Sequence, residues 1–519
     1  MRCFMNSRTY YSARNLVFAL ISQGLDSILT FIARTVFIYT LGKTYLGMSG
    51  LFSDILTLLS LAELGCGTAI IYAMYKPAAN RNEQKLSALL NLYRKIYITL
   101  GIGMTAAGLC LIPFLGFFIS DMPDIPELPV IYVLYLLNTT SSYFFSYKKS
   151  ILTAYQVHHI VSKITMVTVL TQNICQMAVL LLTHNFLLYL SIQLFATFFS
   201  NMAISVYVDR HYPFLKTYAK EKLDKESKQD IVKNIKAMFL DKLSSAVVTS
   251  TDNVLISKFV STIVLGYYSN YTLFVTIIRN IMLRISDALT GSVGNMVSTE
   301  SPARAKQIFE YLLFLNFWII GCFSILLFTF INPFITLWVG DSYLLDIVIV
   351  FIISLNMYMR YIRNTQLIFI DTYGLFQEIR IKCISEALIN LIVSLIFLIP
   401  LKMGVSGVLL GTFVSNILTN FWFEPYIIYT KRFHASPLSY FRRFFQYLGV
   451  TLGTGAVIYV VNGTILPETG IFLLLVKLLI SLFLTCLCFY LIFRKSEEYR
   501  YIREKLKALL KEYRARKGG

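Results

Sequence analysis

Two apolar stretches open the chain, residues 15–39 and 48–75. Each is long enough to cross a hydrocarbon core of about 30 Å as a helix. The sequence Gly42-Lys43-Thr44-Tyr45-Leu46-Gly47 between them reads as a short turn. Charges interrupt both stretches, Asp26 and Arg34 in the first, Asp54 and Glu63 in the second. A charge in hydrocarbon is costly unless it faces a partner or water. The hairpin therefore predicts a cavity wall, with interhelical ion pairing as the plainer alternative.

Apolar stretches of similar length continue to the far end. Spans three and four are expected at about 93–119, broken at Pro113, and 130–147, which holds Asn138. His158 and His159 follow in an inner loop and read as a solvated pair rather than a pH switch. Spans five and six fall at about 161–182 and 186–208. The stretch 209–235 alternates Lys with acids and is the one clear linker, a solvated connector rather than a docking segment. Residues 234–295 then repeat the opening hairpin, with Asp241 and Lys242 near the start, Thr251-Asp252-Asn253, a Leu265-Gly266 turn, and Arg279, Arg284 and Asp287 beyond it. Spans nine and ten are expected at about 311–331 and 346–370, eleven and twelve before residue 430, thirteen and fourteen at about 445–461 and 470–493.

Landmarks in the two halves keep nearly one spacing. Leu46-Gly47 matches Leu265-Gly266 at an offset of 219, and Pro113-Phe114 matches Pro333-Phe334 at 220. Asn138 and Tyr155 match Asn356 and Tyr373 at 218, and Ser200-Asn201 matches Ser415-Asn416 at 215. Order and spacing together predict an internal duplication. Six spans per copy give both copies one orientation, so the repeat axis should lie along the membrane normal. The expected fold is an all-α polytopic membrane protein of about 14 transmembrane helices, two pseudo-symmetric six-helix lobes plus two extra helices. The lobes are 1–208 and 236–430, the extra spans 431–495, and 496–519 a basic amphipathic tail.

Composition agrees with this reading. Of 519 residues, 56% are hydrophobic and 14% charged, against roughly 25% charged in a soluble globular domain. The net charge of +19 is not a nucleic-acid signal. Placing the amino terminus in the cytoplasm puts most Lys and Arg on inner segments, while outer turns carry only Lys43, Lys258 and Lys402. That is the positive-inside rule, with both termini cytoplasmic. The first apolar stretch is long and lacks a small-x-small cleavage pattern, so it reads as a retained span. The eight cysteines show no C-x-x-C and read as packing residues, which argues against a metal site or disulfide framework. In the tail, Ser496 is a helix cap, Glu497 and Glu498 sit in the first turn, and Ile502, Leu506, Leu509, Leu510 and Tyr513 form an apolar stripe. It reads as a helix on the anionic inner leaflet, or else a solvated one.

No hydrolytic or phosphate-loop signature is present, so the chain is not expected to be an enzyme or to carry its own ATPase. What remains is intramembrane charge. Arg279 is expected near mid-membrane, with Arg284 deeper, Arg360 just inside mid-membrane and Arg363 one turn beyond it on the same face. With Arg34, these bases suit an anionic, phosphate-bearing substrate, since guanidinium stays charged and pairs phosphate bidentately. The acids Asp26, Glu63, Asp252, Asp287 and Glu386 could neutralise them as fixed pairs. Asp26, Glu63, Asp252 and Asp287 are also candidates for ion coupling or gating by Na⁺ or H⁺. No cofactor is expected.

Several of these residues resemble one known family. They are Leu46-Gly47 before Gly50-Leu51-Phe52, then 58–65 (Leu-Leu-Ser-Leu-Ala-Glu-Leu-Gly), Tyr72, Tyr75-Lys76-Pro77, Asp241-Lys242-Leu243 and Thr251-Asp252-Asn253. The resemblance is to the Wzx-type oligosaccharide flippases, in the polysaccharide transporter branch of the multidrug/oligosaccharidyl-lipid/polysaccharide exporter (MOP) superfamily. It covers about the first 430 residues. It implies two six-helix lobes around a central cationic cavity that rock to alternate access in a bacterial cytoplasmic membrane. The implied substrate is a polyprenyl-pyrophosphate oligosaccharide moved from the inner to the outer leaflet for capsule or O-antigen synthesis, its pyrophosphate held by the arginines. Membrane lipids, a polysaccharide polymerase and glycosyltransferases are the implied partners. A lipid II flippase, a cation-coupled multidrug exporter and a non-transporting scaffold of a polysaccharide-synthesis complex stay open as alternatives.

Overall fold

The structure is a computed structural model that describes all residues except 1, 61–65, 120–124, 126, 156, 226, 230, 233–234, 236–249, 465–469, 506 and 508–519. The side chains of 2–27, 158–159, 287–288 and several others also fall outside the described set. Among the described residues helix predominates and no β-strand occurs. Among the described residues, eight helices are long and apolar enough to cross a membrane, or ten if two bent helix pairs each count as one span. These ten correspond to expected spans three to six and nine to fourteen. The count of fourteen is not reached because spans one, two and seven run into residues outside the described set. The helix Thr262–Thr299, expected as span eight, is diluted by Tyr, Ser, Asn, Thr and Arg.

The expected turn at 42–47 is not a loop. One helix runs Arg2–Leu59, and only Gly42 leaves helical geometry, at φ 78°. A left-handed φ costs a Cβ-bearing residue energy that glycine avoids. The second span therefore begins at Lys43. Pro113 does break its span: Glu83–Cys110 gives way to a short 3₁₀ turn and Leu115–Phe118 with a 44° bend. Pro333, its counterpart, sits inside the unbroken helix Pro302–Val339.

Two pairs of the matched positions can be compared in the structure. Span four bends by 42° before Ser146–Ala154, and span ten is interrupted before Asn364–Tyr373, at the same offset of 218. Gly47 and Gly266, matched by sequence, also lie against each other. A Cβ on Gly47 would come within 2.0 Å of the Thr262 carbonyl oxygen, and one on Gly266 within 2.6 Å of the Lys43 carbonyl oxygen. Each glycine meets the carbonyl four residues before the other, the reciprocal pattern of a two-fold contact. Small residues allow such close helix approach in membranes.

The chain packs into two units, Leu29–Gly266, and Met1–Ile28 with Tyr267–Gly519. The stretch expected as a free connector belongs to the first unit. Its described part is clipped to the Glu83–Cys110 helix, where Ser87 and Asn91 donate to the Tyr218, Ala219 and Glu221 carbonyls. In the second unit, Leu438–Thr464 and Ile471–Phe493 pack on Pro302–Val339. Phe317 stacks on Tyr447 at 4.3 Å and meets Phe489 at 4.9 Å. The last two expected spans thus pack within that unit.

Candidate functional site

Three of the expected arginines gather in the second unit around the interruption of span ten. Helix Ile347–Tyr361 stops and Asn364–Tyr373 resumes. The gap leaves carbonyls without helical partners, and Asn316 fills that role by donating to Tyr361 and Ile362 at 2.9 Å each. Asn364 donates to Met282 at 3.3 Å, tying the resumed helix to Thr262–Thr299, which bears Arg279 and Arg284. Tyr361 is buried and lies in the electrostatic field of both Arg360 and Arg279. Arg279 is exposed and Arg360 half-buried. Arg279 and Arg360 thus stand on spans joined by the Asn364–Met282 hydrogen bond. Arg284 is exposed farther along the same helix.

Arg363 is a different case, and its placement corrects the sequence reading. Its guanidinium forks onto Glu424, Nε to Oε2 at 2.9 Å and Nη2 to Oε1 at 2.5 Å. Lys382 Nζ donates to the same Oε1 at 2.9 Å and lies 3.9 Å from Glu386. Asn420, on a π-helical turn, donates to Glu386 at 2.5 Å. Glu424 is fully buried. Two bases and two acids balance, as burial demands, so Arg363 is committed to the protein's own carboxylate. A lesser version exists in the first unit. Asp209, 215 residues before Glu424, accepts from Lys148 at 2.7 Å. Sequence reading did not single out Lys382 and Glu424, which meet across 42 residues of chain. The available signal was the repeat offset itself, which pairs Glu424 with Asp209.

Arg34 lies half-buried in the first unit, within electrostatic reach of Tyr189 and Tyr135. Tyr135 shares a 2.6 Å hydrogen bond with Ser49. Tyr189 and Phe37 meet Phe186 in an aromatic cluster. In the same unit Asp252 is buried. Its neighbour Asn253 donates to Asp54 at 2.6 Å, so one interrupting charge of the opening hairpin has a partner. Asp26, Glu63 and Asp287 lie outside the residues whose side chains are described. A groove of about 370 Å³ in the second unit, lined by Ile325, Phe328, Phe351, Leu452 and Tyr459, is almost wholly apolar.

No protein-family profile and no curated protein matches the sequence. Solved structures do match in fold. A lipid II flippase MurJ in an inward closed conformation aligns with a TM-score of 0.62 at 16% identity, covering 92% of this chain and 99% of that one. An inward-facing multidrug resistance MATE family transporter of the MOP superfamily aligns at 0.58 and 14% identity, covering 76% and 91%. A MOP superfamily transporter from Pyrococcus furiosus, described with a binding pocket of reversed polarity, aligns at 0.55 and 15% identity, covering 79% and 93%. The chain has the fold of MOP-superfamily transporters.

Proposed function

We propose that the protein is a transporter of this superfamily, not an enzyme, that moves a polyprenyl-pyrophosphate-linked oligosaccharide from the inner to the outer membrane leaflet by alternating access. The observation that carries the reading is the exposed Arg279 guanidinium on Thr262–Thr299, a helix that the Asn364–Met282 hydrogen bond ties to the chain just after Arg360. No ion pair to an acid involves Arg279 among the described residues. An exposed guanidinium on such a helix is expensive to keep unless function needs it, and its planar fork suits pyrophosphate oxygens. Arg34, with its surrounding tyrosines, is a second candidate for the anion or the sugars, and Arg284 a third. The apolar groove can take a prenyl chain. Asp252 is the candidate for ion coupling or gating whose side chain is described, and Asp26, Glu63 and Asp287 remain candidates on sequence grounds.

A lipid II flippase is the second reading, because the match to MurJ spans nearly the whole chain. Its substrate also carries a polyprenyl pyrophosphate, so the arginines serve either substrate and the sugar decides. A multidrug exporter for cations would want carboxylates where these arginines stand. The test in cells is surface polysaccharide in a strain whose own gene is replaced by the Arg279→Ala or Arg360→Ala variant. Loss of polymer with normal membrane levels supports the reading, and wild-type polymer in both overturns it.

A further inference from the structure

A second charged cavity lies in the same unit, away from the arginines above. It encloses about 610 Å³ where Pro302–Val339 begins, Leu438–Thr464 begins and the tail leaves Ile471–Phe493. The spacing of Ser439, Arg442, Arg443 and Gln446 puts them on one helical face, i to i+7, and all four line the cavity together with Lys306. Arg443 is already spent on the walls, bonded to Glu498 of the tail and 3.2 Å from Glu310. Lys306 lies over the Tyr429 ring at 5.6 Å and near Glu310, Glu498 also lines the space, and Arg442 is exposed. Arg442 is therefore the base most open to a ligand, with Lys306 beside it. Ser436 and Ser496, whose hydroxyls accept from the Leu438 and Tyr499 N–H groups, also line the space. Beside this polar mouth Leu438 and Phe445 are 72% and 59% exposed. Large apolar side chains left open next to bases mark the level where hydrocarbon meets head groups.

We propose that this cavity binds the phosphate-bearing head group of an anionic membrane lipid, joining span nine, span thirteen and the tail. The proposal rests on the membrane-spanning reading and the proposed orientation, not on the proposed substrate. A soluble phosphate shares the chemistry, but the exposed Leu438 and Phe445 favour a ligand with acyl chains.

The test is native mass spectrometry of the full-length protein, stripped of lipid and titrated with dioctanoyl phosphatidylglycerol, dioctanoyl phosphatidylcholine or inorganic pyrophosphate. We expect phosphatidylglycerol to bind at least tenfold more tightly than phosphatidylcholine. The double variant Lys306→Gln with Arg442→Gln should lose that preference, and Arg442→Lys should keep it. The proposal is overturned if phosphatidylcholine binds equally well, if the double variant binds as wild type, or if pyrophosphate binds where phosphatidylglycerol does not. Arg279→Ala should bind phosphatidylglycerol normally, so this site and the transport reading fail separately.

Discussion

Gly47 and Gly266, 219 residues apart, lie where their helices pack so closely that neither position has room for a side chain. The obstacle in both directions is a backbone carbonyl, Thr262 for Gly47 and Lys43 for Gly266, which cannot swing aside as a flexible side chain would. Overpacking of this kind costs about 1–3 kcal/mol and occasionally more. Gly47→Ala and Gly266→Ala are each expected to lower the melting temperature of the purified protein. Gly50→Ala, where nothing lies within 4 Å of the added carbon, should not. Equal melting of all three would remove the close contact.

The charged network in the second unit predicts that two arginines of similar depth behave in opposite ways. Arg363→Ala would leave the fully buried Glu424 with only Lys382, and breaking a buried pair costs about 3–5 kcal/mol. Arg279→Ala removes an exposed side chain and should change stability by less than about 0.5 kcal/mol. Asp209→Asn, which breaks the more open Lys148 pair, should fall between them at about 1 kcal/mol or less. Thermal unfolding in detergent gives the order, and Arg363→Ala melting with wild type would show that the network is not structural.

The tail offers a pH dependence outside the spans. Glu497 accepts from Tyr311 at 2.6 Å and from Gln307 at 2.9 Å. These bonds hold its carboxyl below the usual glutamate range. A depressed folded pKa contributes docking stability that is complete above the ordinary glutamate value and lost as pH falls through the folded one. A spin label on Lys505→Cys should therefore gain mobility as the pH is lowered through the carboxylate range. Glu497→Gln should show that gain already at neutral pH, while unchanged spectra across the range would contradict the docking.

How much of this was readable beforehand follows from which interactions are local. Apolar stretches of span length, the break at Pro113, the Ser496 cap and the repeat offset depend on neighbouring residues or on spacing, and all are visible in the chain. Gly42 was misread because helix followed by one left-handed glycine and helix again looks like a turn in sequence. Arg363 reads as a base for substrate because its carboxylate partner, Glu424, lies 61 residues away in the chain. The interruption at Ile362 is sustained by Asn316, 46 residues away, and no local pattern shows it. Lys382 and Glu424 find each other across 42 residues for the same reason.

The central claim is that Arg279 and Arg360 bind the pyrophosphate of a lipid-linked sugar carried between leaflets. The most direct test is leaflet exchange of a fluorescent polyprenyl-pyrophosphate oligosaccharide in liposomes containing the purified protein, with and without Na⁺ or H⁺ gradients. The account predicts protein-dependent exchange that falls at least tenfold in Arg279→Ala and in Arg360→Ala while both variants melt like wild type. Exchange at the wild-type rate in both, or no exchange together with efflux of cationic dyes from the same liposomes, would contradict it.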